Sequence, residues 1–268
     1  MLSKVKRFYR AASELSSMIN SRVDLQILDY KLSPIDKYLF LSGLNTQAGL
    51  HHHSYDIWRA KRFNKILSIY GVDYFKGKRV LELGSAHGDI GAFLAELGAD
   101  MLCLEGRSEN VTVAKLKYRN IKNLQFVNVN LEHDFSRFGQ FDLIVNFGLL
   151  YHLKNVDAHL RCCFQMSNDI LMETVVCDST DPDKIFFCDE DKGKDEEALD
   201  GVGSRPSPFY VERIAEELGL EVVRYFDADL NCGNQFLYDW KHNNDNRLGD
   251  DWRLRRFWRF KKPSQGTT

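Results

Sequence analysis

The sequence has almost no net charge. Its 36 lysines and arginines nearly balance 38 aspartates and glutamates, which leaves a charge of −2 at neutral pH. Without a strong positive field the chain as a whole is not attracted to nucleic acid, so any such binding would depend on a local basic patch. Charged residues make up 28% of the chain and aromatic residues 12%, a mixture typical of a folded globular protein.

Cysteine patterns that bind metal or carry out redox chemistry are also missing. The six cysteines lack the C-x-x-C spacing of zinc sites and redox centres. We interpret them as reduced thiols that serve as small core residues; they are Cys103, Cys162, Cys163, Cys177, Cys188 and Cys232. No apolar run is long enough to span a membrane, and none follows the basic residues 1–10 as it would in a secretory signal. Together these absences predict a cytoplasmic protein without a transmembrane segment.

Residues 1–70 precede the first predicted strand and have helical patterning. Apolar residues recur at helical spacing over residues 5–19, and again over residues 55–70. We expect a helical extension or cap, whose first helix lies on the main domain rather than on a membrane surface. Three consecutive histidines stand at residues 51–53. Because neighbouring side chains point in different directions, we expect a surface loop there rather than a metal site.

From Arg79 onwards, short apolar segments alternate with amphipathic ones. Five strands are predicted, at residues 79–83, 101–104, 124–129, 141–145 and 170–176, and helices are expected to begin near Asp89, Ser108, Asn155 and Ser207. Two final strands are predicted at residues 220–226 and 235–240. Strands that alternate with helices at this spacing indicate an α/β fold with a doubly wound, mostly parallel sheet, in a domain that covers residues 71–245.

Two segments depart from this alternation. Residues 177–206 are rich in aspartate and glutamate, and predict an insert that forms a long loop, a lid or a partner surface. Residues 246–268 form a basic, aromatic C-terminal segment, in which residues 253–262 interleave arginine and lysine with phenylalanine and tryptophan. Such a patch could bind RNA or an anionic lipid surface. We favour the alternative that its aromatic side chains dock the segment on the domain.

The loop after the first predicted strand has the glycines of a ligand-binding turn. It reads Glu82-Leu83-Gly84-Ser85-Ala86-His87-Gly88-Asp89. Gly84 and Gly88 let the backbone approach a ligand closely, and ligands bind at the carboxyl ends of parallel strands. The dinucleotide fingerprint G-x-G-x-x-G would place its third glycine at Asp89, whose charge would repel a diphosphate. A glycine turn of this kind also occurs between strand and helix without any ligand.

The same loop resembles motif I of class I methyltransferases. The shared features are an acid, Glu82, two residues before Gly84, and a last glycine, Gly88, four residues after it. Ala86 replaces the middle glycine of that motif. The resemblance implies a Rossmann-like domain, seven strands with an antiparallel last strand, and S-adenosylmethionine as the cofactor.

A second segment strengthens this resemblance. Residues 141–153 read FDLIVNFGLLYHL and are similar to the fourth strand and the loop after it in the same enzymes, F-D-x-[IV] and then G-x-L-[YH]-H. The Tyr151-His152-Leu153 sequence is closest to the branch that contains tRNA wobble-uridine carboxymethyl transferases and small-molecule O-methyltransferases. The resemblance covers residues 79–176 well. It leaves residues 1–70 and the acidic insert unexplained.

The resemblance assigns cofactor contacts to the loops that come after the first four strands. Glu105 would accept hydrogen bonds from the ribose hydroxyls, a contact that NAD-binding proteins also make. Asn130 would read the adenine amino group through its carbonyl, unless it is a simple loop residue, and Leu131 would lie on the adenine ring. The predicted cofactor-binding residues are Glu82, Gly84, Ser85, Ala86, Gly88, Glu105, Gly106, Asn130, Leu131, Asn146, Phe147 and Gly148.

Catalytic residues are predicted from their position and ionisation. His152 lies near the end of the fourth strand and titrates near neutrality, so we expect a general base, with a structural histidine as the alternative. Glu173 is a second candidate, because a carboxylate inside an apolar strand needs a partner or a cavity. Tyr55, Trp58 and Tyr151 are predicted to contact the substrate. No metal is expected.

The loop after the fourth strand narrows the choice of acceptor. Residues 146–148 do not match the [DN]-P-P-[YF] motif of amino-group methylation, and the chain has no Pro-Cys nucleophile of the cytosine-C5 type. We therefore expect O-methylation of a small molecule, a sugar or a glycan. The alternatives are an RNA-modifying methyl- or carboxymethyl-type transferase, which could hold RNA through residues 253–262, and a protein that binds the cofactor without catalysis.

Overall fold

The computed structural model describes residues 54–194, 197–232, 236–243 and 253–263, with side chains from residue 58 onwards. The chain divides into two compact units between Ile69 and Tyr70. In the first unit the structure describes one helix, α1 (Ser54–Tyr70), which confirms the helix predicted over residues 55–70. The helix predicted over residues 5–19 and the histidines at 51–53 lie outside the described residues.

The second unit alternates strands and helices as predicted. Its described strands are β1 (Arg79–Leu83), β2 (Asp100–Glu105), β3 (Leu124–Asn128), β4 (Leu143–Phe147), β5 (Asp169–Val175), β6 (Ile185–Asp189), β7 (Val202–Pro206), β8 (Glu221–Tyr225) and β9 (Arg255–Lys261). Its described helices are α2 (Asp89–Glu96), α3 (Ser108–Lys117), α4 (Val156–Met166) and α5 (Pro208–Glu217). Helix α5 begins as the sequence predicts, because the Ser207 hydroxyl accepts a hydrogen bond from the Tyr210 N–H and Pro208 occupies the first turn.

Seven of these strands form one sheet in the order β3-β2-β1-β4-β5-β9-β8. Strands β1 to β5 are parallel, and β9 runs antiparallel to both β5 and β8. This order confirms the predicted doubly wound sheet with an antiparallel last strand. The strand order reverses between β1 and β4, so a ligand crevice is expected at the carboxyl edge of the sheet, beside the loops that come after these two strands.

The predicted position of the last strand in the sequence, residues 235–240, was wrong. The described residues between 236 and 240 form only isolated bridges, Cys232 with Phe236 and Leu237 with Leu254. The seventh strand of the sheet is β9, inside the segment predicted to be a basic C-terminal extension. Its buried residues are Arg255, Arg256, Phe257, Trp258 and Phe260. These side chains are part of the sheet's core rather than of an exposed basic patch.

Arginines can be buried in β9 because each guanidinium has partners inside the protein. Arg259 makes a bidentate ion pair with Asp169, with distances of 2.9 and 2.6 Å. Arg256 donates to the carbonyl oxygens of Tyr238 and Trp240 at 2.7 and 2.8 Å. These acceptors are distant in sequence, so the local pattern of β9 gives no indication that its charges are paired.

The acidic insert at residues 177–206 is more ordered than a long loop. Strands β6 and β7 pair antiparallel, from Ile185 with Pro206 to Asp189 with Val202. The run Ile185-Phe186-Phe187-Cys188 is rich in residues that favour strands, and the surrounding acidic residues obscured this propensity in the sequence. The insert therefore contains a β-hairpin.

Five of the six cysteines are buried, and Cys188 is half-buried. Burial, helped by the nearby Glu82 carboxylate, raises the pKa of the Cys103 thiol well above its usual value. This placement agrees with the interpretation of cysteines as small core residues. Among the helices of the described ranges, none combines the length and the apolar character needed to cross a membrane.

A buried histidine lies between β4 and α4. His159 Nδ1 is 3.2 Å from the Leu131 carbonyl oxygen, and His159 Nε2 is 2.8 Å from Asn146 Nδ2. A carbonyl oxygen can only accept, so Nδ1 donates to it and Nε2 accepts from the amide. Burial lowers the pKa of His159 to about 4. The ring is therefore neutral in the folded protein at neutral pH.

Acid should destabilise the fold through His159. In the unfolded chain this ring takes up a proton near its usual pKa of 6.5, whereas in the folded chain it does so only near pH 4. The contribution of His159 is thus fully present above the unfolded value and is lost as the pH falls towards 4. The loss in free energy of unfolding is up to about 3 kcal/mol. Urea unfolding followed by circular dichroism, at about pH 7 and at about pH 4.5, measures this loss.

The exposed His133 provides a matched control for this experiment. His159→Gln should reduce the stability lost between the two pH values, whereas His133→Gln should leave it unchanged. An unaltered pH dependence in His159→Gln would contradict the assignment.

Candidate active site

The loop after β1 is bent by three residues with positive φ. The φ values are +68° at Gly84, +46° at Ala86 and +78° at Gly88. Ala86 is the one non-glycine residue of the described chain in this region, and it stands where the related motif has its middle glycine. A left-handed alanine costs about 1–2 kcal/mol, a local strain that is often found at functional sites. The buried Ser85 hydroxyl has no hydrogen-bond partner among the described residues, so it is available to a ligand.

The carboxylate of Glu105, at the end of β2, holds this loop. One oxygen accepts a hydrogen bond from the Ala86 N–H at 2.9 Å, and the other accepts one from the Arg107 N–H at 2.9 Å. The oxygen that binds Arg107 also accepts from the Asn110 amide nitrogen at 3.4 Å, so the oxygen that binds Ala86 is the one with a lone pair left for a ribose hydroxyl. Gly106 is the next residue, and a Cβ built there would meet the Leu199 side chain of the insert at 3.3 Å. The placement of Glu105 and Gly106 suits their predicted roles.

Glu82 lies beneath the loop rather than facing the crevice. Its buried Oε2 accepts from the Gly91 N–H at 2.8 Å and from the Cys103 thiol at 3.2 Å. A carboxylate in this position stabilises the first turn of α2, where backbone N–H groups are otherwise unpaired. The structure thus gives Glu82 a supporting contact to the loop's helix, and its contact with the cofactor stays a prediction.

The loop after β3 places the next two predicted residues. Asn130 Oδ1 accepts a hydrogen bond from the Glu132 N–H at 3.0 Å and so closes a turn. The prediction used this oxygen for adenine. That oxygen keeps a second lone pair, so its contact with adenine stays a prediction. Leu131 is buried beside it.

At the end of β4, two predicted cofactor residues point into the interior. The fully buried Asn146 donates to His159, and the Phe147 ring lies 5.1 Å from that of Phe257 on β9. Contact between these two residues and a cofactor would therefore come from the backbone, and it stays a prediction. Gly148 has a φ of +68° and turns the chain towards the loop after β1.

The loops after β1 and β4 meet at Leu149. A Cβ built on Gly84 would lie 3.0 Å from the Leu149 side chain. The absence of a side chain at Gly84 thus lets the two loops close on each other at the reversal point of the sheet.

His152 lies next to this junction, in the short 3-10 helix formed by residues 150–152. Its Nδ1 is 2.6 Å from Glu190 Oε2, and its ring centroid is 3.9 Å from that of Tyr151. Burial alone would raise the pKa of Glu190, but hydrogen bonds from His152 and the Ala198 N–H, with the charge of Arg205, bring it below its usual value. Glu190 is therefore ionised at neutral pH. His152 Nδ1 donates to it, and Nε2 makes no hydrogen bond within the described residues.

Glu173 proves to be a structural residue. It is fully buried, and its Oε1 accepts from Arg255 Nη1 at 2.9 Å and from the Tyr238 hydroxyl at 3.1 Å. Burial would lower the pKa of Arg255, but the Glu173 carboxylate raises it above its usual value, so the guanidinium stays charged. Of the two possibilities given by the sequence, a partner or a cavity, the Glu173 carboxylate has the partner, Arg255. The structure assigns Glu173 to the pairing of β5 with β9, which corrects its predicted catalytic role.

The predicted substrate residues have different surroundings. Tyr151 is buried, with the guanidinium carbons of Arg205 and Arg255 each 5.2 Å from its ring centroid. Trp58, on α1 in the other unit, is buried and has the Arg62 guanidinium 3.0 Å from its ring centroid. The side chain of Tyr55 lies outside the described residues. Substrate contact by these three residues stays a prediction.

Three residues of the site were not predicted: Glu190, Arg205 and Arg107. Glu190 and Arg205 belong to the β6–β7 hairpin, which the sequence pattern indicated only as an acidic insert. Glu190 stands 38 residues after its partner His152, so no local spacing links them. The strand propensity of residues 185–188 was the one available signal, since it would have placed Glu190 at the end of a strand.

The sheet order, the strained glycine loop and the carboxylate at the end of β2 together define a class I methyltransferase. The sequence model of the methyltransferase domain family matches residues 51–225, and the chain belongs to that family. The cofactor of this domain is S-adenosylmethionine.

Individual relatives are distant. A ubiquinone biosynthesis O-methyltransferase from Mesorhizobium japonicum (strain LMG 29417 / CECT 9101 / MAFF 303099) is 28% identical over 93 residues, which cover 34% of this chain and 37% of that protein. The chain thus matches little more than a third of this relative's length. The N-terminal domain of EvdMO1, solved with SAH bound, is 25% identical with a TM-score of 0.54, over 60% of this chain and 72% of that one.

A third similarity concerns the fold alone. Magnesium protoporphyrin IX methyltransferase (ChlM) from Synechocystis PCC 6803, solved with bound SAM, is 11% identical with a TM-score of 0.54. The similarity covers 85% of this chain and 91% of that one.

The residues of this chain fit the cofactor. The Ser85 hydroxyl is a buried donor without a partner in the described chain, and Glu105 offers acceptor capacity at the ribose position. The backbone at Ala86 and Gly88 is bent open at the start of α2, where N–H groups favour an electron-rich ligand group. When bound, S-adenosylmethionine supplies the electrophilic methyl group.

Gly88→Ala should damage both the fold and cofactor binding. Its φ of +78° penalises any Cβ, and the new Cβ would lie 2.3 Å from the Phe126 ring, which would have to move. We expect the free energy of unfolding to fall by roughly 2–4 kcal/mol. The affinity for S-adenosylmethionine should fall at least about tenfold in isothermal titration calorimetry.

Gly219 is the matched control, because it has a φ of +74° but nothing within 4 Å of a built Cβ. Gly219→Ala should carry the backbone cost without the clash and keep the wild-type dissociation constant. Equal effects of both substitutions on binding would show that general destabilisation, not the loop, is responsible.

Glu173→Gln should mainly reduce stability, because it removes the charge that Arg255 pairs with. Breaking a buried ion pair in this way costs about 3–5 kcal/mol. Chemical denaturation measures the change, and Glu216→Gln, at an exposed position, is the control that should have no effect. A Glu173→Gln protein of unchanged stability but without activity would restore the catalytic interpretation.

Proposed function

We propose that this chain transfers the methyl group of S-adenosylmethionine to a hydroxyl oxygen of a small molecule or sugar, with His152 as the general base. The observation that carries the proposal is the state of the His152 ring. Its Nδ1 is bound to an ionised carboxylate, and its Nε2 has no hydrogen bond within the described residues. The side chain is 18% exposed, beside the junction of the two loops that border the crevice.

An unbound Nε2 suits an alcohol or phenol acceptor. A neutral hydroxyl is a weak nucleophile, and it becomes a better one as a base removes its proton during attack. Nε2 takes that proton, while the proton on Nδ1 stays in place and faces Glu190. The resulting imidazolium is stabilised by the Glu190 carboxylate. The loops after β1 and β4 hold the reactants in position and exclude water.

The similarity to known proteins supports oxygen as the acceptor atom. The partial relative from Mesorhizobium japonicum is named an O-methyltransferase. The loop after β4 also lacks the Pro-Pro motif of amino-group methylation.

An RNA-modifying enzyme has less support. That alternative depended on residues 253–262 as a basic, aromatic surface, and Arg255, Arg256, Phe257, Trp258 and Phe260 in this range are buried in the sheet. The small net charge of the whole chain offers no substitute field.

The proposal is tested by screening purified protein with S-adenosylmethionine against sugars, phenols, aliphatic alcohols and transfer RNA. Formation of S-adenosylhomocysteine is measured by mass spectrometry, and the methylated atom is identified by NMR. Methylation of a sugar or small-molecule oxygen is the expected result. Methylation of RNA, or of nitrogen or carbon, would overturn it.

With the acceptor in hand, His152→Ala should lower kcat by about 100-fold or more, which is the usual contribution of a general base. The dissociation constant for S-adenosylmethionine should stay within about twofold, because His152 is not among the residues that shape the glycine loop. His133→Ala, at an exposed position, is the matched control and should retain wild-type kcat. Full activity of His152→Ala would exclude it as the base.

A further inference from the structure

The Glu190 carboxylate of the acidic insert has several hydrogen-bond donors around it. Its Oε2 accepts from His152 Nδ1 and from the Ala198 N–H, both at 2.6 Å. Its Oε1 lies 3.4 Å from the guanidinium of Arg205, on the neighbouring strand β7. The side chain is only 7% exposed. A carboxylate with so many donors is fixed in one orientation.

The hairpin is shaped around this carboxylate. A Cβ built on Gly203 would lie 2.1 Å from Glu190 Oε1 and 2.8 Å from the Tyr151 carbonyl oxygen. Any larger residue at position 203 would therefore displace Glu190 or the segment that carries His152. The Glu190 N–H also donates to the Gly201 carbonyl at 3.0 Å, which closes the end of the hairpin.

Arg107 connects the insert, at residues 192, 194 and 197, to Glu105 at the end of β2. Its guanidinium donates to three carbonyl oxygens, those of Lys192, Lys194 and Glu197, at 3.3, 2.7 and 3.0 Å. Its own N–H donates to Glu105 at 2.9 Å. The same few residues thus connect the carboxylate at the ribose position with the insert that carries Glu190.

We propose that Glu190 is a positioning residue for His152, and that the acidic insert is part of the catalytic unit rather than a separate partner surface. This inference rests on the proposed role of His152 as the base. In water a neutral imidazole exchanges between two tautomers, and only one of them leaves Nε2 free to accept a proton. A charge-assisted bond from Nδ1–H to an ionised carboxylate selects that tautomer.

The proposed reaction transfers one proton to His152. One proton moves from the acceptor hydroxyl to Nε2, as the oxygen forms its bond to the methyl group. The Nδ1 proton remains on the ring, and Glu190 remains ionised throughout. Glu190 therefore acts through His152 without touching the reacting atoms.

Glu190→Gln removes the charge and keeps the size of the side chain. We expect kcat to fall at least about tenfold, with KM and the dissociation constant for S-adenosylmethionine within about twofold. The adjacent exposed Asp189 is the matched control, and Asp189→Asn should retain wild-type kinetics. Adding Glu190→Gln to His152→Ala should cause no further loss, because the two residues act as one unit.

The tautomer gives a readout that does not require turnover. In protein labelled with ¹⁵N-histidine, the two ring nitrogens of His152 should show a protonated Nδ1 and an unprotonated Nε2 when the ring is neutral. Glu190→Gln should shift this population towards the Nε2–H tautomer. Gly203→Ala should cause the same shift by displacing the carboxylate, without any change of charge.

These experiments separate the two proposals. An unchanged tautomer and an unchanged kcat in Glu190→Gln, with an inactive His152→Ala, would overturn the positioning role and leave the base in place. A further loss of kcat when Glu190→Gln is added to His152→Ala would also overturn it. A fully active His152→Ala would instead overturn the proposed base itself.

Discussion

The arrangement of the site depends on the two oxygens of Glu105. One of them holds the strained backbone at Ala86, and the other holds the backbone of Arg107, whose side chain fastens the insert. A single carboxylate at the end of β2 therefore holds both the glycine loop and the residue that binds the insert. The Asn110 amide adds a third bond to Glu105, so one of the four lone-pair positions of the carboxylate is left for a ligand's hydroxyl.

The parts of the fold that the sequence predicted are those with local causes. Strands β1 to β5 are short apolar segments bounded by turns, and the glycine loop is a continuous run of residues that a local motif can identify. The end of β4 was located by the segment around Tyr151 and His152. The backbone positions of the cofactor loop could be predicted from these patterns, but the directions of the Asn146 and Phe147 side chains could not. Those directions depend on α4 and β9, which contact them from elsewhere in the chain.

Strand β9 shows why the rest could not be predicted. An alternation of arginine with phenylalanine and tryptophan is typical of an exposed basic surface, and burial of such charges normally costs several kcal/mol. Here Glu173 and Asp169 on β5 supply the counter-charges, 82 and 90 residues away. The same ion pairs mark one alignment of β9 against β5, because a shift by one residue would turn each arginine to the opposite face of the sheet. The link between Glu190 and His152 is hidden in the sequence for the same reason of distance.

Arg107 recognises the insert entirely through carbonyl oxygens, which every amino acid possesses. The bond is therefore indifferent to which side chains occupy positions 192, 194 and 197, provided that the backbone keeps its path. In evolutionary terms, the side chains at these three positions of the insert can change without weakening the hydrogen bonds from Arg107. The freedom applies to those three positions and not to Glu190, whose side chain bonds His152.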